Sequence, residues 1–314
     1  MHICVVVVTY NSSADLAALL PTLSVHPGSG VRTSVVVVDN GSVDDTVDVA
    51  RRSERVDVVV EAENRGYAAG INAGAAAAGD FDSLLVLNPD VRVEPGALQS
   101  MAAALGEGVG IVAPRLVGAD GAVLWSLRRE PTAARAWATA LLGGERASRL
   151  GTLGDMDRDP AHYVRLRDAE WATGAALLIS RRCWDEVGPW DESFFLYSEE
   201  TDFCLRARDA EFRTVFVPSA TIAHFEGDMT TPSAAVYRSL SAVRLYRKRH
   251  GRAMSIVYLG GVLTSSLLRL GRPSERAAAV ALLSRRRRPE PVRGLRLLTR
   301  TPVPTRRSAA GRPS

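Results

Sequence analysis

The sequence predicts an α/β fold: a Rossmann-like, mostly parallel central sheet flanked by helices, followed by a helical, basic C-terminal extension. Three observations carry this. Over residues 1–115, short Val/Leu-rich runs alternate with helix-period segments. The runs are continuous instead of alternating with polar residues, as in strands covered on both faces. Finally, the charge changes sign along the chain: residues 244–314 hold 18 Lys/Arg against Glu275 and Glu290, a balance of +16, which leaves −12 for residues 1–243 of a chain whose total is +4.

In chain order, strands are expected at "HICVVVV" (2–8), "SVVVVD" (34–39), "VDVVVE" (56–61) and "SLLVLN" (83–88). Between and after them, Ser13–Leu23, Ser42–Arg52, Gly66–Ala78 and Pro95–Leu105 read as helices, with Ser42 and Asp45 spaced as a capping-box variant. Strand–helix repetition of this kind closes by right-handed βαβ crossovers. The pattern is less regular around 125–168. "EWATGAALLIS" (170–180) and "FRTVFVP" (212–218) then read as further strands, and Val236–His250 as a basic helix. The apolar stretch 254–268 is short of the roughly 20 residues that span a bilayer. From residue 285 the Arg/Pro-rich composition predicts a disordered tail. These readings divide the chain into a catalytic domain over 1–235, in halves 1–115 and 116–235, a helical extension over 236–284 and a tail over 285–314.

Composition is that of a soluble globular protein, 46% hydrophobic and 24% charged. Cys4, Cys183 and Cys204 are far apart and odd in number, which argues against a disulfide framework or a CxxC metal pair and suits a reducing cytoplasm. The first apolar run has no basic segment before it and ends at Thr9-Tyr10-Asn11, so it reads as a strand and not as a signal peptide. No GxGxxG or GxxxxGK[ST] is present, which removes the dinucleotide fingerprint and the P-loop.

In a parallel α/β sheet, ligands bind beyond the carboxyl ends of the strands. Four polar tips fall on that edge: Thr9-Tyr10-Asn11, Asp39-Asn40-Gly41-Ser42, Glu61 to Gly66, and Asn88-Pro89-Asp90. Asp39 either closes a turn or accepts from a ribose hydroxyl or a base N–H. In "ENRGYAAGINAG" (63–74), Asn64, Gly66, Gly70 and Asn72 either permit close helix packing or let a nucleotide approach a helix start. In "FFLYSEETDFCLRA" (194–207), Glu199, Glu200 and Asp202 lie within four positions. They are either a solvated helix start or a self-repelling cluster with a raised pKa, which suits a general base.

"VVVVTYNS", "VVVVDNGSVDDT", "ENRGYAAGINAG" and "LLVLNPDV", in this order and spacing, resemble the nucleotide-sugar-binding half of glycosyltransferase family 2, whose fold is GT-A. With "GAALLISRRCWDEVGPWDESFFLYSEETDFCLRARDAEFRTVFVPSATIAHFEG" (174–227), the resemblance covers about residues 1–230 and is nearest to bacterial rhamnosyltransferase-like members. It implies an inverting, metal-dependent transfer from a nucleoside-diphosphate sugar to a hydroxyl acceptor in glycan, cell-wall or natural-product synthesis. The donor sites would be Thr9, Tyr10, Asn11, Asp39, Asn40, Asn64, Gly66, Gly70, Asn72, Asn88 and Asp90. Asn88 stands where many members carry a first Asp. This leaves Asp90, with His224, to hold Mg²⁺ or Mn²⁺ together with the donor phosphates. Glu200 takes the place of the family's usual Asp base, with Glu199 as the alternative and Asp202 beside them. Trp171, Thr173, Gly174, Trp190 and Asp191 would form the acceptor side, with Glu192 nearby.

The donor would be a dTDP- or UDP-sugar, rhamnose by subgroup, and the acceptor a glycan, lipid-linked or small-molecule hydroxyl. The basic C-terminus allows either peripheral contact with the inner face of the plasma membrane or simple packing on the domain. No aromatic interleaving supports nucleic-acid binding. The rival readings are a non-catalytic sugar- or nucleotide-binding relative, and a nucleotidyltransferase.

Overall fold

A computed structural model describes residues 1–24, 30–54, 56–60, 63–225, 231–295 and 297. The apolar runs become strands where the pattern placed them. β1 (His2–Thr9), α1 (Ser13–Leu19), β2 (Arg32–Asp39), α2 (Thr46–Arg51), β3 (Val56–Val60), α3 (Tyr67–Ala77) and β4 (Ser83–Leu87) follow in turn. The four strands lie parallel in the order β3-β2-β1-β4. On β1, Ile3, Val5 and Val7 enter one core cluster and Cys4, Val6 and Val8 the other. Both faces are buried, which explains the unbroken apolar runs. The capping box at Ser42 does not form. Helix α2 starts only at Thr46, and the Ser42 amide and hydroxyl donate back to the Asp39 carboxylate.

Next come β5 (Val91–Val93), α4 (Ala97–Ala103) and β6 (Val109–Val117), then β7 (Leu127–Arg128), α5 (Ala133–Leu142), α6 (Gly144–Arg149) and β8 (Arg167–Ala169). Residues 170–180, expected as one strand, divide in two. β9 (Trp171–Ala172) pairs with β7 in a separate two-stranded sheet, whereas β10 (Ala176–Ser180) lies antiparallel between β4 and β6. After α7 (Arg181–Val187) and α8 (Glu199–Asp209), β11 (Arg213–His224) runs on past Pro218. It pairs in parallel with β6 and antiparallel with β5, which sets His224 opposite Val91.

The chain continues as α9 (Pro232–Arg249), α10 (Arg252–Leu267) and α11 (Pro273–Leu283). No helix among the described residues is long and apolar enough to cross a membrane. The segment from residue 285, expected to lack structure, begins with 3-10 turns at Arg285–Arg287 and Glu290–Val292. Its composition misled because one arginine does local work: buried Arg288 donates to Ala281 O at the end of α11 and to Leu295 O. Val292 and Leu297 pack with Leu240 and Val243 of α9. Residues 298–314 lie outside the described residues.

Helix α9 is fastened to the α/β body by charge as well as by apolar contact. Lys248 Nζ, on a side chain only 4% exposed, sits 2.8 Å from Asp191 Oδ2 and 2.7 Å from Asp202 Oδ1. Arg206 completes the cluster at 2.8 Å from Asp202 Oδ2. Nearby, Tyr237 stacks on Phe195.

Candidate active site

The parallel register places Thr9 beside Asp39 and Val7 beside Leu87, so the tips do converge on one edge. Glu61 and Ala62 of the third tip lie outside the described residues. Asp39 is 1% exposed and its carboxylate is occupied. It accepts from the hydroxyls of Thr9 and Ser42 and from the Ser42 amide. Its turn role is therefore the one observed. Asn11, in the left-handed region at φ 51°, accepts from the Val43 amide and knits the first tip to the second. Tyr10 and Asn11 are exposed. Asn40 donates to Gly66 O, while its own Oδ1 is buried without a hydrogen-bond partner. That acceptor, unlike the Asp39 carboxylate, is left unsatisfied.

The third motif divides by role. Asn64 accepts from the Gly66 amide, and Gly66 holds φ 94° at the start of α3. A Cβ on Gly66 would fall 2.3 Å from Phe195 O, to which the Tyr67 amide donates. Gly66→Ala is therefore expected to cost more than about 1 kcal/mol in urea unfolding, since both the positive φ and the close approach require glycine. Gly70 packs against Val8 of β1, where an added Cβ would come within 2.6 Å, so its smallness serves helix–sheet packing. Asn72 pairs through its amide with both the N–H and the C=O of Trp190 and also donates to Glu192. It anchors the 190–192 loop.

The fourth tip carries the most unusual geometry. Asp90 Oδ1 is buried without a hydrogen-bond partner, yet His224 Nε2, brought by the β5–β11 pairing, lies 3.3 Å away. The two atoms are close, but their geometry is not that of a hydrogen bond. Among the described residues no group of three or more His, Cys, Asp or Glu is arranged to hold a metal. Asn88 accepts from the Tyr67 hydroxyl at 2.8 Å, and the same hydroxyl lies 3.3 Å from Gly174 O.

Gly174 leads to the second half of the site. A Cβ there would come within 3.2 Å of Glu200 Cβ, so the Thr173–Gly174 break between β9 and β10 makes room for the α8 carboxylates. Glu199 and Glu200 open α8 directly after Tyr197 and Ser198, two non-glycine residues with φ 66° and 72°. Strained backbone of this kind persists only where its surroundings enforce it. Burial pushes the Glu199 carboxyl well above its ordinary range, and neighbouring Glu200 adds to the effect; Glu199 Oε2 has no hydrogen-bond partner. Burial raises Glu200 as well, against the pull of nearby backbone N–H groups and Arg128. The Tyr67 hydroxyl is held protonated by burial and by the charges of Glu199, Asp90 and Glu200.

Asp202 does not belong with this pair. It is fully buried and neutralised by Lys248 and Arg206, so it cannot serve as a base. Asp191 is likewise structural: burial alone would raise its carboxyl, but Lys248 and Ser193 hold it below the ordinary range. Trp190 is 1% exposed and stacks on Phe203 in the core. Trp171 and Thr173, by contrast, line a cavity of about 560 Å³ together with Glu200. Sequence reasoning missed Tyr67, inside a motif whose amides drew the attention, and Arg128, Arg135, Tyr197 and Arg238, which line or border this cavity. Arg128 and Arg135 come from the irregular stretch and Arg238 from the basic helix, where nothing local marks them.

The model of the family described as glycosyl transferase family 2 matches residues 4–170. The chain belongs to glycosyl transferase family 2. It is a glycosyltransferase with the GT-A fold. It is 31% identical over 241 residues to the N-acetylglucosaminyl-diphospho-decaprenol L-rhamnosyltransferase of Mycobacterium tuberculosis, covering 72% of this chain and 76% of that protein. Over 208 residues it is 26% identical to the low-salt glycan biosynthesis hexosyltransferase Agl10 of Haloferax volcanii, covering 65% of this chain and 61% of that one.

Among solved structures, the mannosyltransferase PcManGT of Pyrobaculum calidifontis, in complex with GDP-Man and Mn²⁺, superposes with a TM-score of 0.53 at 16% identity, covering 90% of this chain and 73% of that one. Staphylococcus aureus TarS 1-349 superposes with a TM-score of 0.52 at 16% identity, covering 91% of each chain. At these identities the likeness is one of fold.

Proposed function

We propose that this glycosyltransferase moves a sugar from a nucleoside-diphosphate donor to a hydroxyl of a lipid-linked glycan, with inversion at the anomeric carbon. Rhamnose from a dTDP donor is the first candidate, since the mycobacterial relative bears a rhamnosyltransferase name; a UDP-sugar is the second. One observation carries the reading. Tyr67 joins Asn88 at the donor edge to Gly174 O, and Gly174 abuts Glu200, so one tyrosine and one glycine link the donor tip to a half-buried carboxylate.

In this mechanism the nucleotide lies across the exposed Tyr10–Asn11 tip, Asn40 and Asn64. Glu200 accepts the acceptor O–H proton as that oxygen bonds to the anomeric carbon. The bond from that carbon to the diphosphate breaks on the opposite face, and its electron pair leaves with the nucleoside diphosphate. Asp90 and His224 suit a divalent cation: a buried carboxylate oxygen without a hydrogen-bond partner lies beside an imidazole nitrogen, and the two would offer one or two ligands, leaving the rest to donor phosphates and water. Such a cation, Mg²⁺ or Mn²⁺, would neutralise charge on the departing diphosphate. Tyr67 holds Asn88 in place and, kept protonated, adds no charge there.

The +16 charge of residues 244–314 favours peripheral attachment at the anionic inner face of a cytoplasmic membrane. Transfer from a panel of nucleotide-sugars, read by mass, tests the reaction. Asp90→Ala is expected to lose at least about tenfold in activity at limiting Mn²⁺, and chelation should bring the wild type to the same level. Full activity of Asp90→Ala after chelation would sink the metal reading. A non-catalytic relative would turn over no donor in the panel.

A further inference from the structure

The cavity beside Glu200 is walled by β7, α5, α8, α9 and α10, and none of Thr9, Asn11, Asn64, Asn88 or Asp90 lines it. It is therefore distinct from the donor edge and shares only Glu200 with the proposed chemistry. Three guanidinium groups from three elements line it: Arg128 of β7, Arg135 of α5 and Arg238 of α9. Arg135 is held by the carbonyl oxygens of Glu130 and Thr152, which orient it without neutralising it. Arg128 Nε is buried without a hydrogen-bond partner, and its ion pair to the half-exposed Asp155 is long at 3.6 Å. Arg238 lies over the Tyr197 ring, 5.9 Å from its centroid, next to the strained entry into α8. Of the other carboxylates at the wall, Glu275 is engaged by the Ser266 hydroxyl. Several guanidinium groups around one cavity, one of them with a buried donor that has no hydrogen-bond partner, are the chemistry of phosphate recognition.

The same lining also includes apolar side chains, Ala136, Leu245, Tyr258 and Val262. At the ends of α5 and α10, Leu141 and Leu268 are 67% and 62% exposed. Arg269 ties these two ends together by donating to Thr139 O and Ala140 O. An apolar edge next to a cavity that holds three guanidinium groups, alongside Asp155, Glu200 and Glu275, fits a ligand that is anionic at one end and a hydrocarbon at the other.

We infer that this cavity is the acceptor site for a sugar carried on a prenyl diphosphate, with Arg128, Arg135 and Arg238 taking the diphosphate and the chain leaving along the α5–α10 edge. The inference rests on the glycosyl-transfer reading and adds to it the residues that recognise the carrier. A binding measurement on the full chain tests it without any donor sugar. Titration with farnesyl diphosphate, in saturating UDP or dTDP with Mn²⁺, is compared with farnesol and with inorganic pyrophosphate.

Farnesyl diphosphate should bind more tightly than either control. Arg128→Gln and Arg238→Gln should each raise its Kd by about tenfold or more, Arg238→Lys by less, and Arg182→Gln, on the exposed face of α7 and outside the cavity, should leave it unchanged. Three results would overturn the site: no binding, binding indifferent to the arginine variants, or displacement by the nucleotide. If farnesyl diphosphate binds as expected but no donor in the panel is turned over, the proposed reaction fails and the anion site stands. If transfer proceeds but the arginine variants bind normally, the reverse holds.

Discussion

Glu200→Gln is expected to lower kcat by about 10²–10⁴-fold while leaving donor binding intact. The side chain faces the cavity, its shape is nearly conserved in the amide, and only the capacity to accept a proton is lost. The pH profile gives a second readout. Burial raises both Glu199 and Glu200, so the wild-type base is protonated, and inactive, up to a pH above the ordinary glutamate range. Activity should therefore fall as pH drops through that raised value, and the residual rate of Glu200→Gln should lack this limb. If Glu200→Gln keeps wild-type kcat and Glu199→Gln loses it, the base is Glu199. If neither substitution matters, the α8 pair is not the catalytic base.

Lys248→Met is expected to destabilise the protein by roughly 3–5 kcal/mol, because it leaves Asp191 and Asp202 buried without their shared cation. The methionine keeps the length of the side chain, so lost charge and not a cavity dominates. The pH dependence has a definite sign. The Asp191 carboxyl is held below its ordinary range in the folded wild type, so its contribution is present above the unfolded value and lost as pH falls through the folded one. In the variant Asp202 keeps Arg206, whereas Asp191 loses its cation; protonating Asp191 relieves its burial, and the deficit should shrink as the solution is acidified. Urea unfolding at several pH values checks both statements. A deficit under about 1 kcal/mol that does not vary with pH would contradict the buried-ion account.

The parallel half of the sheet was legible because β1, β2 and β4 bury both faces, and unbroken Val/Leu runs have few other uses. The convergence of their tips followed from topology alone. What the chain could not reveal locally was how polar side chains divide their valences. Asp39 and Asn40 are neighbours of similar shape, yet Ser42 and Thr9 saturate the first and leave the second with an orphan oxygen. Glu200 and Asp202 are two positions apart on one helix, and only the turn of α8 sends one to the cavity and the other to Lys248. The His224–Asp90 approach was expected through a family resemblance; geometrically it depends on a pairing between β5 and the far end of β11. The strand expected over 170–180 broke at Thr173–Gly174 because Glu200 needs that space, a demand made from a segment some way along the chain.

The fastening of α9 has a consequence for anyone wishing to retarget this enzyme. The helices that follow the sheet look like an exchangeable module, and grafting those of a relative would be a natural way to seek a change in acceptor preference. Yet Lys248 balances two acids that belong to the recipient body, and Tyr237 covers a phenylalanine whose carbonyl oxygen receives the amide that opens α3. A graft that brings a different side chain at either position would leave a buried acid without its cation or loosen the start of α3. Chimeras should succeed only when the incoming helix retains a cation and an aromatic at those two positions, and altered acceptor preference will otherwise be confounded with misfolding.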